Sequence, residues 1–177
     1  MRFAVLALVL LPALVSAQRF PPPPATNDPR LEEPPRRPGA EGAQERARQL
    51  FEAIKQDDPA LGMPFFMPRE VFRQIKGVAD PDRFYDRMLA MFEADVHALH
   101  AELGEDAEAA TFVRLELSRR RGWVGVREES NRLPYWAQRH NTLVYRVGEQ
   151  ERTFEVRTLN AWDGEWYLTH LREFRRR

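Results

Sequence analysis

The sequence predicts an α+β domain: three N-terminal helices packed on a curved antiparallel sheet of four to five strands. Two observations carry this reading. Apolar residues recur at three- and four-residue spacing over residues 41–104, then at alternate positions from residue 111, where β-branched and aromatic residues also rise. The links between the later segments are short, and short links force antiparallel neighbours because a parallel pair needs a crossover of about a dozen residues.

Two segments precede this domain. Residues 1–17, MRFAVLALVLLPALVSA, have a positive start at Arg2, an uninterrupted apolar run over 3–11 and small residues at Val15-Ser16-Ala17. That is the layout of a secretory signal peptide, and the run is shorter than the roughly 20 residues a membrane span needs. Export to the periplasm or the cell exterior is therefore expected, and an uncleaved anchor is the alternative. Gln18 rather than Cys follows the expected cleavage site, so no lipid is attached there and no stable membrane anchor is expected after cleavage. Residues 18–40 hold eight of the fourteen prolines and few large apolar side chains. Such a stretch cannot bury enough surface to fold, and it reads as a proline-rich disordered linker that is extended at Pro21 to Pro24. A ligand for a proline-recognising partner is the sharper alternative.

The domain itself, residues 41–177, starts with a helix whose Ala43, Ala47, Leu50, Phe51 and Ile54 share one face, stopped by Asp57-Asp58-Pro59. Residues 59–67, PALGMPFFM, read as a turn-rich apolar connector. Pro68 sits at a first helical position, Val71, Phe72 and Ile75 face inward, and Gly77 closes a short second helix. Asp80-Pro81 is the clearest start signal, an N-cap carboxylate followed by proline. Phe84, Tyr85, Met88, Leu89, Phe92, Val96, Leu99 and Leu103 then hold an apolar stripe to Gly104.

Strands are expected at 111–118, 123–128, 139–147, 151–159 and 165–174. Gly148-Glu149-Gln150 joins the third to the fourth, and Ala161-Trp162-Asp163-Gly164 joins the last two through Asp-Gly, a strong hairpin signal. Helices followed by a meandering sheet give segregated layers. No internal repeat is visible.

This order, together with the closing run Trp162-Asp163-Gly164-Glu165-Trp166-Tyr167-Leu168-Thr169-His170, resembles the NTF2-like (SnoaL-like) α+β cone superfamily. Many members of that superfamily close on a D-G-x-W-x-hydrophobic-x-H strand. The resemblance covers residues 41–174, though its diagnostic part is about nine residues long. It implies a cone-shaped fold and little about activity, since the superfamily hosts isomerases, dehydratases, cyclases, transport factors and secretion subunits. No motif here maps onto a catalytic site of the superfamily.

Composition excludes several classes. The chain has 27 basic and 27 acidic residues among 177, and losing Arg2 with the signal leaves it near neutral. A general nucleic-acid binder would need a basic excess. With no cysteine, disulfides, thiol catalysis and Cys-ligated metal are excluded, so packing alone must hold an exported fold. No phosphate-binding glycine loop or nucleophile elbow occurs. No cofactor is expected.

Histidines are the first candidates for chemistry. Glu93, His97 and His100 lie at i, i+4 and i+7 of the third helix, a strip that could hold a metal, although a solvated flank is the favoured reading. On the last strand Trp166, Leu168, His170 and Phe174 are expected on one face, with Tyr167, Thr169 and Leu171 on the other. His170 then rests near a core, as a cavity acid/base or as a hydrogen-bonded structural residue. His140 follows Leu133-Pro134-Tyr135-Trp136, where Tyr135 and Trp136 rim a pocket or plug the end of the sheet. Trp166 and Arg157 complete the ligand-binding candidates. Arg119-Arg120-Arg121 and the terminal arginines read as solvated charge.

The leading expectation is a non-catalytic domain that binds a small apolar or anionic ligand or a protein partner, as a homodimer. The alternatives are a small cone-fold enzyme using His170 or His140, with Arg157 or Arg114 orienting an anion, and a structural subunit of an envelope complex.

Overall fold

A computed structural model describes residues 36–173, so the signal-like segment and most of the proline-rich stretch lie outside the described residues. Among the described residues three α-helices precede five strands, confirming the α+β class: α1 Gln44–Gln56, α2 Arg69–Ile75, α3 Pro81–Leu103, β1 Thr111–Glu116, β2 Arg121–Val124, β3 Tyr135–Val147, β4 Gln150–Trp162 and β5 Glu165–His170. Among the described residues no helix is long and apolar enough to cross a membrane.

The helices form where the apolar stripes lie. Helix α1 buries Ala47, Leu50, Phe51, Ala53 and Ile54, and ends where Asp57 turns left-handed at φ 55°. A short polar side chain tolerates that conformation better than a bulky one. Helix α2 begins one residue later than the proline suggested: Pro68 is extended and caps the helix rather than entering it. Helix α3 starts as read, with Asp80 Oδ1 accepting from the Arg83 N–H at 2.9 Å. It buries Tyr85, Met88, Phe92, Val96, Leu99 and Leu103.

The connector before α2 is more than a turn. Phe65, Phe66 and Met67 are buried, and the segment joins the outer edge of β5 in parallel. Leu168 donates to Phe65 O at 2.8 Å and Met67 donates to Leu168 O at 2.9 Å. An otherwise open edge strand is thereby covered. Phe66 packs on Tyr85 and Phe92 with ring centres 5.7 and 5.0 Å away, which fixes the connector against α3.

All five strands form one antiparallel sheet. β3 pairs along its length with β4, and its other side carries β1 beside its C-terminal half and β2 beside its N-terminal half. β5 pairs with the end of β4. Phe51 of α1 stacks on Tyr145 of β3 at 5.6 Å, and Tyr145 on Phe154 of β4 at 4.6 Å, so α1 lies on this face. Helix α1 also supplies a polar link: the Gln44 side-chain amide donates to Leu115 O and accepts from Leu115 N, standing in for a strand partner of β1.

Three expectations about the strands are corrected. β3 begins at Tyr135, not at 139, and accommodates His140 at φ 58° in its middle. β2 spans Arg121–Val124, four residues, so Arg121 belongs to a strand and not to the preceding turn. β5 carries a bulge: Leu168 pairs with Leu159 and His170 with Thr158, leaving Thr169 as the extra residue. One extra residue reverses the alternation, so Leu168 and His170 point to opposite faces instead of sharing one.

Candidate functional site

A cavity of about 270 Å³ opens between α2, α3 and the end of the sheet where β3, β4 and β5 meet. Phe72, Phe84 and Met88 from the two helices make an apolar wall. Facing them are Lys76, Glu129, Tyr135, Arg139, Thr158, Asn160, Thr169 and His170. The sheet side follows from register. Arg139 pairs with Thr158 and Thr158 with His170, so the three side chains stand in one cross-strand row. The bulge at Thr169 is what turns His170 into that row.

One flank of the cavity is the connection between β2 and β3. It is stitched to the end of α2 by Arg132 N–H to Ile75 O and Gly77 N–H to Ser130 O, both 2.7 Å. Lys76, the residue that ends α2, sends its Nζ to Asn131 Oδ1 at 2.7 Å, the Tyr135 hydroxyl at 3.0 Å and Glu129 O at 3.2 Å. The Tyr135 hydroxyl donates to Glu129 Oε2 at 2.9 Å, and Glu129 Oε1 forms an ion pair with Arg139.

Burial sets the protonation states. It lowers Lys76 to about 8, partly opposed by the carboxylate of Glu129. Burial lowers His170 to about 4, reinforced by the positive charge of Lys76. Tyr135 is raised well above its usual value by burial and by Glu129. At neutral pH Lys76 therefore remains a cation and His170 a neutral imidazole, beside the Arg139–Glu129 ion pair. Two cations against one carboxylate leave one positive charge. Among the described residues, Asn160 Oδ1 is buried without a hydrogen-bond partner.

Of the residues singled out from sequence, the cavity gathers Tyr135 and His170. Trp136 lies outside it, edge-on to Trp123 with ring centres 5.4 Å apart. Trp166 is 1 % exposed and donates from Nε1 to Pro38 O at 3.1 Å. It anchors the end of the proline-rich stretch, where Arg37 also donates to Gln138 Oε1. His140 has its Nδ1 2.7 Å from Glu155 Oε1, and Arg157 bridges Glu155 and Glu173; neither His140 nor Arg157 lines the cavity, although the charge of Arg157 reaches His170. Arg114 pairs with Glu116 and Glu151 on a solvated face.

The helix strip is divided as well. His97 Nδ1 sits 2.5 Å from Asp57 Oδ1 and His100 Nδ1 3.0 Å from Ile54 O, so both pin α3 to the end of α1. Neither bond involves Glu93. Among the described residues no group of three or more His, Cys, Asp or Glu could hold a metal ion.

Sequence reasoning missed Lys76, Glu129, Arg139 and Asn160. One signal was present: only Lys55 and Lys76 are lysines in a chain whose other basic residues are all arginine. At position 76 a compact ammonium with three rotatable donors meets three acceptors, a task a rigid planar guanidinium fits less well. Comparison with known proteins returns no match: no family model, no curated protein and no solved structure matches the chain.

Proposed function

We propose that this domain is an exported, cone-type binding domain that takes a small amphipathic molecule into the cavity between α2, α3 and the sheet. One observation carries the reading: a cavity of about 270 Å³ sets an apolar wall of Phe72, Phe84 and Met88 against a polar wall that includes Lys76, Tyr135 and the unpartnered Asn160 Oδ1. Small-molecule sites combine apolar lining with a few placed polar groups, and this volume lies just under the roughly 300–1,000 Å³ range of ligand pockets. The order of helices and strands and the closing Trp162-to-His170 run support the NTF2-like cone, and the apolar run at residues 1–17 supports export.

A protein-binding role on the face of the sheet has less support. Tyr145 is 6 % exposed, Trp123 packs on Trp136, and among the described residues the exposed large apolar side chains are Leu61, Met63 and Val126. An enzyme reading is favoured by the place of His170 in the cavity. Against it, an imidazole held near 4 is a weak base at neutral pH, far from the matched value that general catalysis uses.

Calorimetric titration with small aromatic probes, benzamide among them, tests the proposal. Thr158→Trp, checked for folding by circular dichroism, fills the cavity. Binding to the wild type that is lost in Thr158→Trp is the expected result. Binding that survives the filling, or no binding by any probe, overturns the proposal.

A further inference from the structure

The polar end of the cavity already holds a carboxylate, and that carboxylate belongs to the protein. Glu129 Oε1 lies on the Arg139 guanidinium and Oε2 accepts from the Tyr135 hydroxyl at 2.9 Å. Tyr135 and Arg139 stand four residues apart on β3, so both point to the same face of the sheet. A guanidinium and a phenol set side by side are a two-pronged seat for a planar oxyanion, and charge-assisted bonds of this kind are strong and shaped.

Glu129 reaches the seat from an unusual stretch of backbone. Arg127, Glu129 and Ser130 have φ of 72°, 47° and 60°, a left-handed region that side chains with a Cβ seldom occupy. Such conformations persist where surrounding contacts hold them, and they gather at ligand clamps and switches. Here the contacts are those of the cavity: Lys76 on Glu129 O, Gly77 on Ser130 O, and Arg139 and Tyr135 on the carboxylate. The Glu129 side chain is 47 % exposed, so it borders solvent on its outer side and can leave the seat without crossing the core.

We propose that the Arg139–Tyr135 seat is a carboxylate subsite occupied in the free protein by Glu129, and that an amphipathic carboxylic acid binds by displacing it. This rests on the reading of the cavity as a ligand site. An incoming carboxylate repeats the contacts of Glu129 one for one. Its apolar body meets Phe72, Phe84 and Met88, which the Glu129 side chain does not replace. With Glu129 swung out, Lys76 and Arg139 face the ligand without an internal counter-charge, which selects an anion over a neutral or cationic isostere.

The test is calorimetric titration of the full chain with benzoate, benzamide and benzylamine, for the wild type, Glu129→Gln and Arg139→Gln, each checked by thermal melting. Wild type is expected to bind benzoate at least about tenfold more tightly than benzamide and to bind benzylamine least. Glu129→Gln replaces an ionic competitor by a neutral one, so benzoate should tighten by at least about fivefold while benzamide changes less than about twofold. Arg139→Gln should erase the preference for benzoate. Benzoate binding no tighter than benzamide, or weakened by Glu129→Gln, overturns the subsite while leaving the cavity reading in place. Binding by none of the three overturns both.

Discussion

Lys76 Nζ lies 3.0 Å from the Tyr135 hydroxyl, joining the residue that ends α2 to the first residue of β3. The same ammonium bonds Asn131 Oδ1 and Glu129 O, so one charge fixes the geometry of a cavity wall and the loop beside it. Lys76→Arg keeps the charge but replaces a compact ammonium by a larger, planar fork that does not reproduce its three bonds. A loss of about 1–2 kcal/mol is expected by denaturant unfolding, comparable to one or two net hydrogen bonds. Stability equal to wild type would contradict the assigned contacts.

Acid should expose the burial of His170. Its imidazole titrates near 6.5 when unfolded and near 4 when folded. Between those values the unfolded chain holds a proton that the folded chain does not. Stability should therefore fall as pH drops from about 6.5 to about 4, by roughly 3 kcal/mol from this residue. His170→Gln should flatten that part of the profile. Unfolding curves collected through this range compare the two slopes, and identical slopes would count against the buried imidazole.

Gly62 packs closely against α1 and α3. A Cβ there would sit 2.9 Å from Phe92 Cζ and 3.3 Å from Ala53 Cβ, both buried. Gly62→Ala should cost about 1–3 kcal/mol through overpacking. A melting temperature unchanged by the substitution would show that the layer is looser than described.

Trp166 holds the end of the proline-rich stretch through its bond to Pro38 O. Trp166→Phe removes that donor and leaves a gap in a fully packed site. A destabilisation of about 1–3 kcal/mol is expected, together with faster proteolysis just before the domain. Limited proteolysis with mass spectrometry reads the second effect, and unchanged cleavage would mean that residues 36–40 are not held by Trp166.

Carboxylate binding should depend on Lys76. An anion in the cavity favours the ammonium form, whose value in the free protein is about 8. Benzoate affinity should thus decline as pH rises through about 8, whereas benzamide affinity should stay level. Parallel pH profiles for the two probes would dissociate Lys76 from the ligand.

The elements with local signals were legible in the sequence. Asp80-Pro81 marks the start of α3 because cap and proline act within one turn, and Asp163-Gly164 marks the last hairpin for the same reason. Ala47, Leu50, Phe51 and Ile54 announce the buried face of α1 by spacing alone. What stayed hidden depends on non-local pairing. The bulge at Thr169 is a property of the register between β4 and β5, and without it the alternation assigns His170 to the wrong face. The connector at Phe65–Met67 reads as a turn because its partner strand lies about a hundred residues away. Lys76, Glu129 and Arg139 come from three separate parts of the chain, and no spacing rule links them. Tyr135 and His170 were visible as singular residues, but their company was not.

The proposed ligand site is the cavity lined by Phe72, Lys76, Phe84, Met88, Tyr135 and Asn160. Chemical-shift mapping during addition of benzoate to the ¹⁵N-labelled protein tests it directly. Saturable shifts are expected at these residues and at Glu129, with little movement at His97, His140 and Arg157. Shifts that centre on those last residues, or no saturable shifts at all, would contradict it.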